Sequence, residues 1–357
     1  VKRLYVAISH HGYGHLAQTA AILERLFEAR PDLDLVLRTA LPEAVLAARI
    51  PHPFRHLRLP TDCNFVMRDA LRIDLDASLA AYRAFHRDWA ARVSEEARAL
   101  AREAPDLVFS NVGYLPLAAA REAGVPALAL CSINWADLFR HYLGHSPGAD
   151  AILADMADGY DWARPFLRPE PAMPMPTLAQ GRRLPPVVSR RPVRRAESRA
   201  TLGLASDERA VLVGLGGIPH RLPMEAWPRL AGVRWWVPDD WAVRHPDARA
   251  FSDIGMTYPE LLAACDALIT KPGYGSYTEA VGAGVPVLTL PRADWPETPY
   301  LLEWLMAHGR ARVIPEAVLE SGRLEQDLAA LWAMPEKPVP EMNGAAEAAR
   351  IILEHLV

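Results

Sequence analysis

The sequence predicts an α/β chain of two doubly wound, parallel-sheet domains facing a cleft. Three observations carry that reading. Short apolar runs alternate with stretches of helical spacing along the chain, as parallel strands joined by helices require. Glycine-rich loops follow apolar runs at residues 12–14, 214–217 and 273–275. One strand-helix-strand unit also occurs twice, at a constant offset: Asp106, Gly113, Tyr114, Ala120, Ala123, Gly124, Val125, Pro126, Leu128 and Leu130 correspond to Asp266, Gly273, Tyr274, Ala280, Ala283, Gly284, Val285, Pro286, Leu288 and Leu290.

Residues 4–9 form the first buried-strand pattern, ended by His10-His11-Gly12-Tyr13-Gly14-His15, after which Leu16, Ala20, Leu23 and Phe27 recur at helical spacing. Residues 33–38 read as the second strand and 42–49 as the helix after it, while the pattern weakens over 54–76. Residues 77–103 read as one long helix, apolar at Leu79, Tyr82, Phe85, Trp89, Val93 and Leu100, leading into the first copy of the repeat. Residues 133–142 follow its closing strand. Residues 165–192 hold many prolines and an arginine cluster (Arg182, Arg183, Arg190, Arg191, continued by Arg194 and Arg195) and read as a linker whose charge is a solvated face or a draw for an acidic acceptor. A second α/β series runs from 210–214 through 234–237 to the second copy. The expected domains are 1–180 and 181–340, with a last helix in 341–357 free to pack back on the first.

At 357 residues the chain can bury a core in each half. A net charge of −4 gives no global pull toward nucleic acid or anionic membrane, so a polyanion site must be local. Cys63, Cys131 and Cys265 lack metal-ligand spacing, which fits a reduced, cytoplasmic protein. The chain opens on a strand with no apolar leader, and no run has the length of a membrane span, which leaves room only for peripheral membrane contact.

The second copy of the repeat is where a ligand is expected. A glycine-rich loop feeding a helix N-terminus presents unpaired N–H groups and the positive end of the helix dipole to an anion. Ser276 and Glu279 have the spacing of a capping box, with Ser276 as N-cap; Glu279 can equally hold the ribose hydroxyls of a nucleotide whose phosphates lie on residues 273–276. The comparison between copies favours the ligand. Leu115, Pro116 and Ala119 stand in the first copy where Gly275, Ser276 and Glu279 stand in the second, so the fold needs neither the glycine nor the acid. Gly214, Gly216 and Gly217 can bring further N–H groups to a phosphate. Asp294 and Glu297 follow the closing strand at the sheet edge where ligands of such sheets bind, or are solvated loop acids.

His15 opens its helix, where the dipole disfavours imidazolium and keeps the ring neutral, the state a general base needs; a local hydrogen-bonding histidine is the plainer alternative. A zinc site from His10, His11 and His15 would need three ligands to converge from one tight turn. Gly12-x-Gly14-x-x-Ala17 matches the loose dinucleotide fingerprint, but Arg38 stands where an acid should hold the ribose, and His15 would crowd the pyrophosphate.

These motifs resemble the two-Rossmann-domain GT-B glycosyltransferases over nearly the whole chain. Gly12-Tyr13-Gly14-His15 resembles the G-x-G-H of the MurG transferases, and residues 273–291 resemble the donor-binding segment that MurG shares with plant small-molecule glucosyltransferases. ISHHGYGH, PDLVFSNV and the Asn134-Trp135-x-Asp137 neighbourhood are similar to the glycosyltransferase-like N-terminal half of plant L-arabinokinases. The resemblance implies an inverting transferase that needs no metal or cofactor and takes a sugar from a nucleotide diphosphate, with UDP the expected carrier, to a hydroxyl acceptor. It implies His15 as base, Glu279 on the ribose, Gly275 and Ser276 at the diphosphate, and Asp294 or Glu297 near the sugar. Asn111 departs from the Asp of these relatives, so Asp137 enters as a substitute partner for His15. A nucleotide-sugar hydrolase and a non-catalytic nucleotide-sugar binding protein are the alternatives.

Overall fold

The computed structural model describes residues 1–178, 181–189, 195–216, 220–251 and 254–356. The chain divides into two compact units, the first Val1–Arg68, Arg72–Ser189 and Met342–Val357, the second Asp69–Leu71 and Arg190–Glu341.

Among the described residues the first unit holds a seven-stranded parallel sheet of β1 (Arg3–Ile8), β2 (Asp34–Arg38), β3 (Arg55–Leu57), β4 (Leu107–Asn111), β5 (Ala127–Leu130), β6 (Phe166–Pro169) and β7 (Gly181–Leu184), in the order β3-β2-β1-β4-β5-β6-β7. The second holds a six-stranded parallel sheet of β8 (Arg209–Val213), β9 (Val233–Val237), β10 (Ala248–Ala250), β11 (Ala267–Thr270), β12 (Val287–Thr289) and β13 (Ala311–Val313), in the order β10-β9-β8-β11-β12-β13. Both sheets reverse their strand order once. The switch point lies between β1 and β4 in the first unit and between β8 and β11 in the second, and ligands of doubly wound sheets bind outside the carboxyl ends of the strands at that place.

The repeat is a repeat of structure. β4, the helix Leu115–Ala123 and β5 recur in the second unit as β11, the helix Tyr274–Gly282 and β12. Each helix ends before a glycine in the left-handed region, Gly124 at φ +68° and Gly284 at φ +69°, where a side chain would strain the turn. Asp106 accepts the Arg3 N–H at 2.7 Å and Asp266 the Ala210 N–H at 2.8 Å, so each copy uses its aspartate to clip β4 or β11 to its neighbour at the entry.

The core of the first unit joins Leu4, Val6 and Ile8 of β1 and Leu16, Ile22 and Leu26 of the helix Gly14–Ala29 to Ala348, Ile351 and Ile352 of the last helix, Gly344–His355. The core of the second joins Val211, Val213, Trp235 and Ile269 to Trp227, Trp241 and the inserted Ala70 and Leu71.

Three expectations are corrected. The proline-rich stretch 165–192 carries β6 and β7, with Phe166, Leu167 and Leu184 buried, so the first unit runs to Ser189; β7 is the edge strand and keeps two exposed arginines, while β6 is paired on both sides and ends at Pro169. Arg182 pairs with Glu347 (3.0 Å) and Arg195 with Asp266 (2.8 Å), while Arg190, Arg191 and Arg194 lie outside the described residues. The long helix over 77–103 is two, Leu75–His86 and Trp89–Glu103, broken at Arg87-Asp88. No helix of the described residues is long and apolar enough to cross a membrane.

Candidate functional site

At the first unit's switch point the loop after β1 turns through Gly12 (φ +76°) into the helix Gly14–Ala29, which places His15 against Asn111, the last residue of β4. The two side chains meet with His15 Nδ1 2.9 Å from Asn111 Oδ1. Asn111 Nδ2 donates to the His15 carbonyl at 3.3 Å and to Gln18 Oε1 at 3.0 Å. Because a carbonyl only accepts, these bonds fix the amide orientation, and the ring must carry its proton on Nδ1. Nε2 is then the basic nitrogen. Burial pulls His15 down to about 4, with the neighbouring His10 adding to the effect and the bond from Asn111 opposing it, so the ring is neutral at pH 7.

Around this pair the side chains are fixed. Cys131 Sγ lies 3.5 Å from Nδ1, and the Trp135 ring packs 5.9 Å from the His15 ring between centroids. Trp135 Nε1 donates to the buried Asp62 at 2.6 Å. Asn64 bonds His10 Nε2 at 3.1 Å, and among the described residues no three His, Cys, Asp or Glu side chains gather as a metal site.

At the second unit's switch point the loop after β8 is anchored by Gly214 N–H on the Ile269 carbonyl (3.0 Å) and passes Gly216 at φ +84°. Gly217 lies outside the described residues. Gly216 sits beside the loop that follows β11: a Cβ added to it would come within 3.7 Å of the Lys271 ammonium. The helix after that loop begins at Tyr274 with extended Gly273 as its N-cap. Ser276 is therefore the third helical residue, and the Ser276–Glu279 capping box does not form; a Glu carboxylate does reach back to an N-cap N–H at Thr257, from Glu260, at 2.8 Å.

The two copies differ in what covers the helix start. In the first, a Cβ on Gly113 would stand 2.5 Å from the Thr61 Cβ, and Leu115, Pro116 and Ala119 are buried. In the second, the nearest atom to a Cβ on Gly273 is 3.9 Å away, and Gly275, Ser276 and Glu279 are only partly buried. Among the described residues the place is filled in one unit and open in the other.

No protein-family model matches the chain. Solved structures match it throughout: the glycotransferase of kitacinnamycin, at TM-score 0.66 and 17% identity over 99% of each chain, and Arabidopsis thaliana UGT89C1 complexed with UDP, at TM-score 0.58 and 15% identity over 99% of this chain and 95% of that one. The chain has the GT-B fold. Among curated proteins it is 27% identical over 310 residues to an L-arabinokinase of Arabidopsis thaliana; that match covers 84% of this chain and 29% of that protein's length, so the chain spans under a third of the relative.

Within this GT-B fold the remaining residues fall as follows. Asp137 is engaged by Asn134 Nδ2 (2.7 Å), Thr177 Oγ1 (2.5 Å) and Arg140 (3.8 Å), which cap and brace the helix Trp135–Leu143, so the side-chain partner of His15 is Asn111 and not Asp137. Glu297 is buried and accepts Trp295 Nε1 at 3.2 Å, unlike a solvated loop acid, whereas Asp294 is exposed. Arg38, weighed as a 2′-phosphate ligand, is buried against Glu96 at 2.6 Å and the Pro60 carbonyl at 3.0 Å. Sequence reasoning missed Gln18, one helical turn after His15, and Lys271. The signal for Lys271 was at hand, since the repeat sets it opposite Asn111, just ahead of the matched glycines Gly273 and Gly113.

Proposed function

We propose that the chain is an inverting, metal-independent glycosyltransferase that moves a sugar from a nucleotide diphosphate donor, UDP-linked, to a hydroxyl acceptor. The donor would lie on the second unit, with its diphosphate at Gly216, Gly273, Gly275 and Ser276, its ribose on Glu279 and its sugar near Asp294 or Glu297. Orphan N–H groups of the helix start would hold the phosphates. His15 in the first unit would take the acceptor proton on Nε2 as the hydroxyl attacks the anomeric carbon, and Asn111 would hold the ring in the tautomer this demands.

The contrast between the two repeat copies carries this reading: among the described residues the same helix start is filled by Thr61 in one and open, with a partly buried acid, in the other. The likeness to UGT89C1 complexed with UDP supports the donor class. A binding protein without turnover is the second reading, favoured by Asn111, which orients a histidine but gives an imidazolium no charge.

A donor panel scored by thermal shift, followed by product analysis with and without acceptors, tests both. UDP-sugars should stabilise the protein in proportion to occupancy. Glu279→Ala should weaken UDP binding about tenfold to a hundredfold with little change in melting temperature, because a charged hydrogen bond is lost and no cap is. His15→Ala should lower kcat about 10²- to 10⁴-fold and leave UDP affinity unchanged. Tight UDP-sugar binding with no product under any acceptor would leave the binding protein, and product without acceptor a hydrolase.

A further inference from the structure

Gln18 stands one helical turn after His15, and none of the roles above uses its amide nitrogen. The hydrogen bonds around Asn111 fix the orientation of each group in turn. Asn111 Oδ1 takes the His15 Nδ1 proton at 2.9 Å, so Asn111 Nδ2 is the atom that faces the His15 carbonyl and Gln18. Because Nδ2 only donates, the Gln18 atom 3.0 Å from it is the oxygen Oε1. Gln18 Nε2, which carries two N–H donors, is therefore turned away from Asn111, and among the described residues it has no partner. The side chain is only 3% exposed. A donor held this far out of water and left unbonded lowers the stability of the free protein.

Its place in the fold says what could bond it. The helix Gly14–Ala29 follows β1, and Asn111 ends β4, so His15 and Gln18 lie at the first switch point, where a doubly wound sheet takes its ligand. Residues three apart on a helix share a face and have Cβ atoms about 5–6 Å apart. Side chains rooted that close reach oxygens on neighbouring carbons of one small molecule. The reacting hydroxyl gives its proton to His15 Nε2 and attacks with a lone pair. A donor on that same oxygen would hold the lone pair back, so the amide serves the reaction by bonding a second oxygen.

We propose that Gln18 is a specificity-determining residue and that the acceptor is a vicinal diol, one hydroxyl reacting at His15 while the oxygen on the next carbon accepts from Gln18 Nε2. The proposal rests on the reading of His15 as the base of a transferase. In that step the acceptor oxygen bonds to the anomeric carbon, the bond from that carbon to the diphosphate oxygen breaks with its electron pair, and the acceptor proton passes to His15. Gln18 exchanges no proton.

The test uses the full chain, isotope-labelled for NMR, with two matched pairs of probes: catechol against phenol, and vicinal cyclohexanediol against cyclohexanol. In wild type each diol should bind about tenfold to a hundredfold more tightly than its single-hydroxyl match and should shift both the His15 ring and the Gln18 side-chain amide signals. Gln18→Met keeps the length of the side chain and removes the amide, so it should bind the two members of a pair within about twofold of each other. An amide that served only to brace Asn111 would leave the preference unmoved. The wild-type shifts need no variant, which keeps the proposal refutable if Gln18→Met fails to fold. Equal affinity within each pair in wild type, no binding of any probe, a Gln18 signal that the diols leave in place, or a diol preference kept by Gln18→Met would overturn it. Turnover separates the proposal from the reading beneath it. Diol binding that needs Gln18, with no glycosylated product from any UDP-sugar, would leave the diol site standing and sink the transferase reading; glycosylation of both members of a pair at equal kcat/KM in wild type and Gln18→Met would do the reverse.

Discussion

A histidine with its proton on Nδ1, its Nε2 lone pair unspent and its ring pulled down to about 4 is ready at neutral pH but is a weak base. Burial is the main cause of the second property, and Asn111 bears on both. Its amide oxygen fixes the tautomer, and its neutrality withholds the charge that would stabilise an imidazolium. Asn111→Asp should therefore raise the His15 pKa by about 1–3 pH units and move the acid limb of kcat/KM upward by the same amount, with a faster rate on the plateau. A pH-rate profile of the two proteins decides it; coincident acid limbs would remove His15 from the base role. The same depression acts on folding. The folded pKa lies below the ordinary 6.5, so the unfolded chain binds the proton more readily between the two values. Stability from this group is full above pH 6.5 and falls by about 3 kcal/mol as the pH drops through 4. His15 was legible from its place after the first glycine loop. Its partner was legible only as one of two candidates, because the choice between Asn111 and Asp137 depends on which strand end lies beside β1, and sequence spacing does not carry strand order.

Between β1 and β4, and between β8 and β11, the sheet is held at its entry by one aspartate, and the two copies have diverged in how that residue is paired. Asp106 receives the Arg3 N–H and a half-exposed Lys2 at 3.2 Å. Asp266 is buried and receives the Ala210 N–H together with Arg195 and Arg199, each at 2.8 Å. Asp266→Ala should thus cost about 2–4 kcal/mol, because three guanidinium groups, Arg209 at 3.4 Å among them, lose their carboxylate and a backbone donor loses its acceptor, whereas Asp106→Ala should cost about 1 kcal/mol. Denaturant midpoints of the two variants measure the difference, and equal losses would show that the arginines add nothing to the clip. This element was readable in both halves of the chain because its markers, an entry aspartate and a left-handed glycine stop, are demanded by local geometry. β6 and β7 were not readable. The arginines of β7 are what an edge strand tolerates, β6 lies inside the sheet with Pro165 just before it and Pro169 at its end, and which segment lies at an edge is a property of the whole sheet. The break at Arg87-Asp88 was hidden for a related reason: Phe85, Trp89 and Val93 keep four-residue spacing across it and pack together although two helices supply them.

Among the described residues each unit has a large core of its own; the chain visits the second unit at Asp69–Leu71, builds it in the main after the first, and leaves it at Glu341 to finish on the first. That return was legible only as an option, since the apolar face of residues 344–356 does not say which core it covers; Leu16 and Ile22 complete it. Two cores with their own helices and sheets should unfold as two transitions. A ligand held by one unit raises only that unit's transition, by an amount set by its concentration over its Kd. Ile352 is wholly buried in the first core, so Ile352→Ala should lower the transition of the first unit by about 2–5 kcal/mol and leave the other in place. UDP should raise the transition that Ile352→Ala leaves untouched. Scanning calorimetry of wild type and variant, each with and without UDP, gives four traces in which the two perturbations must separate. If UDP instead moves the transition that Ile352 controls, the nucleotide sits on the His15 unit, and the assignment of donor and acceptor sides is reversed.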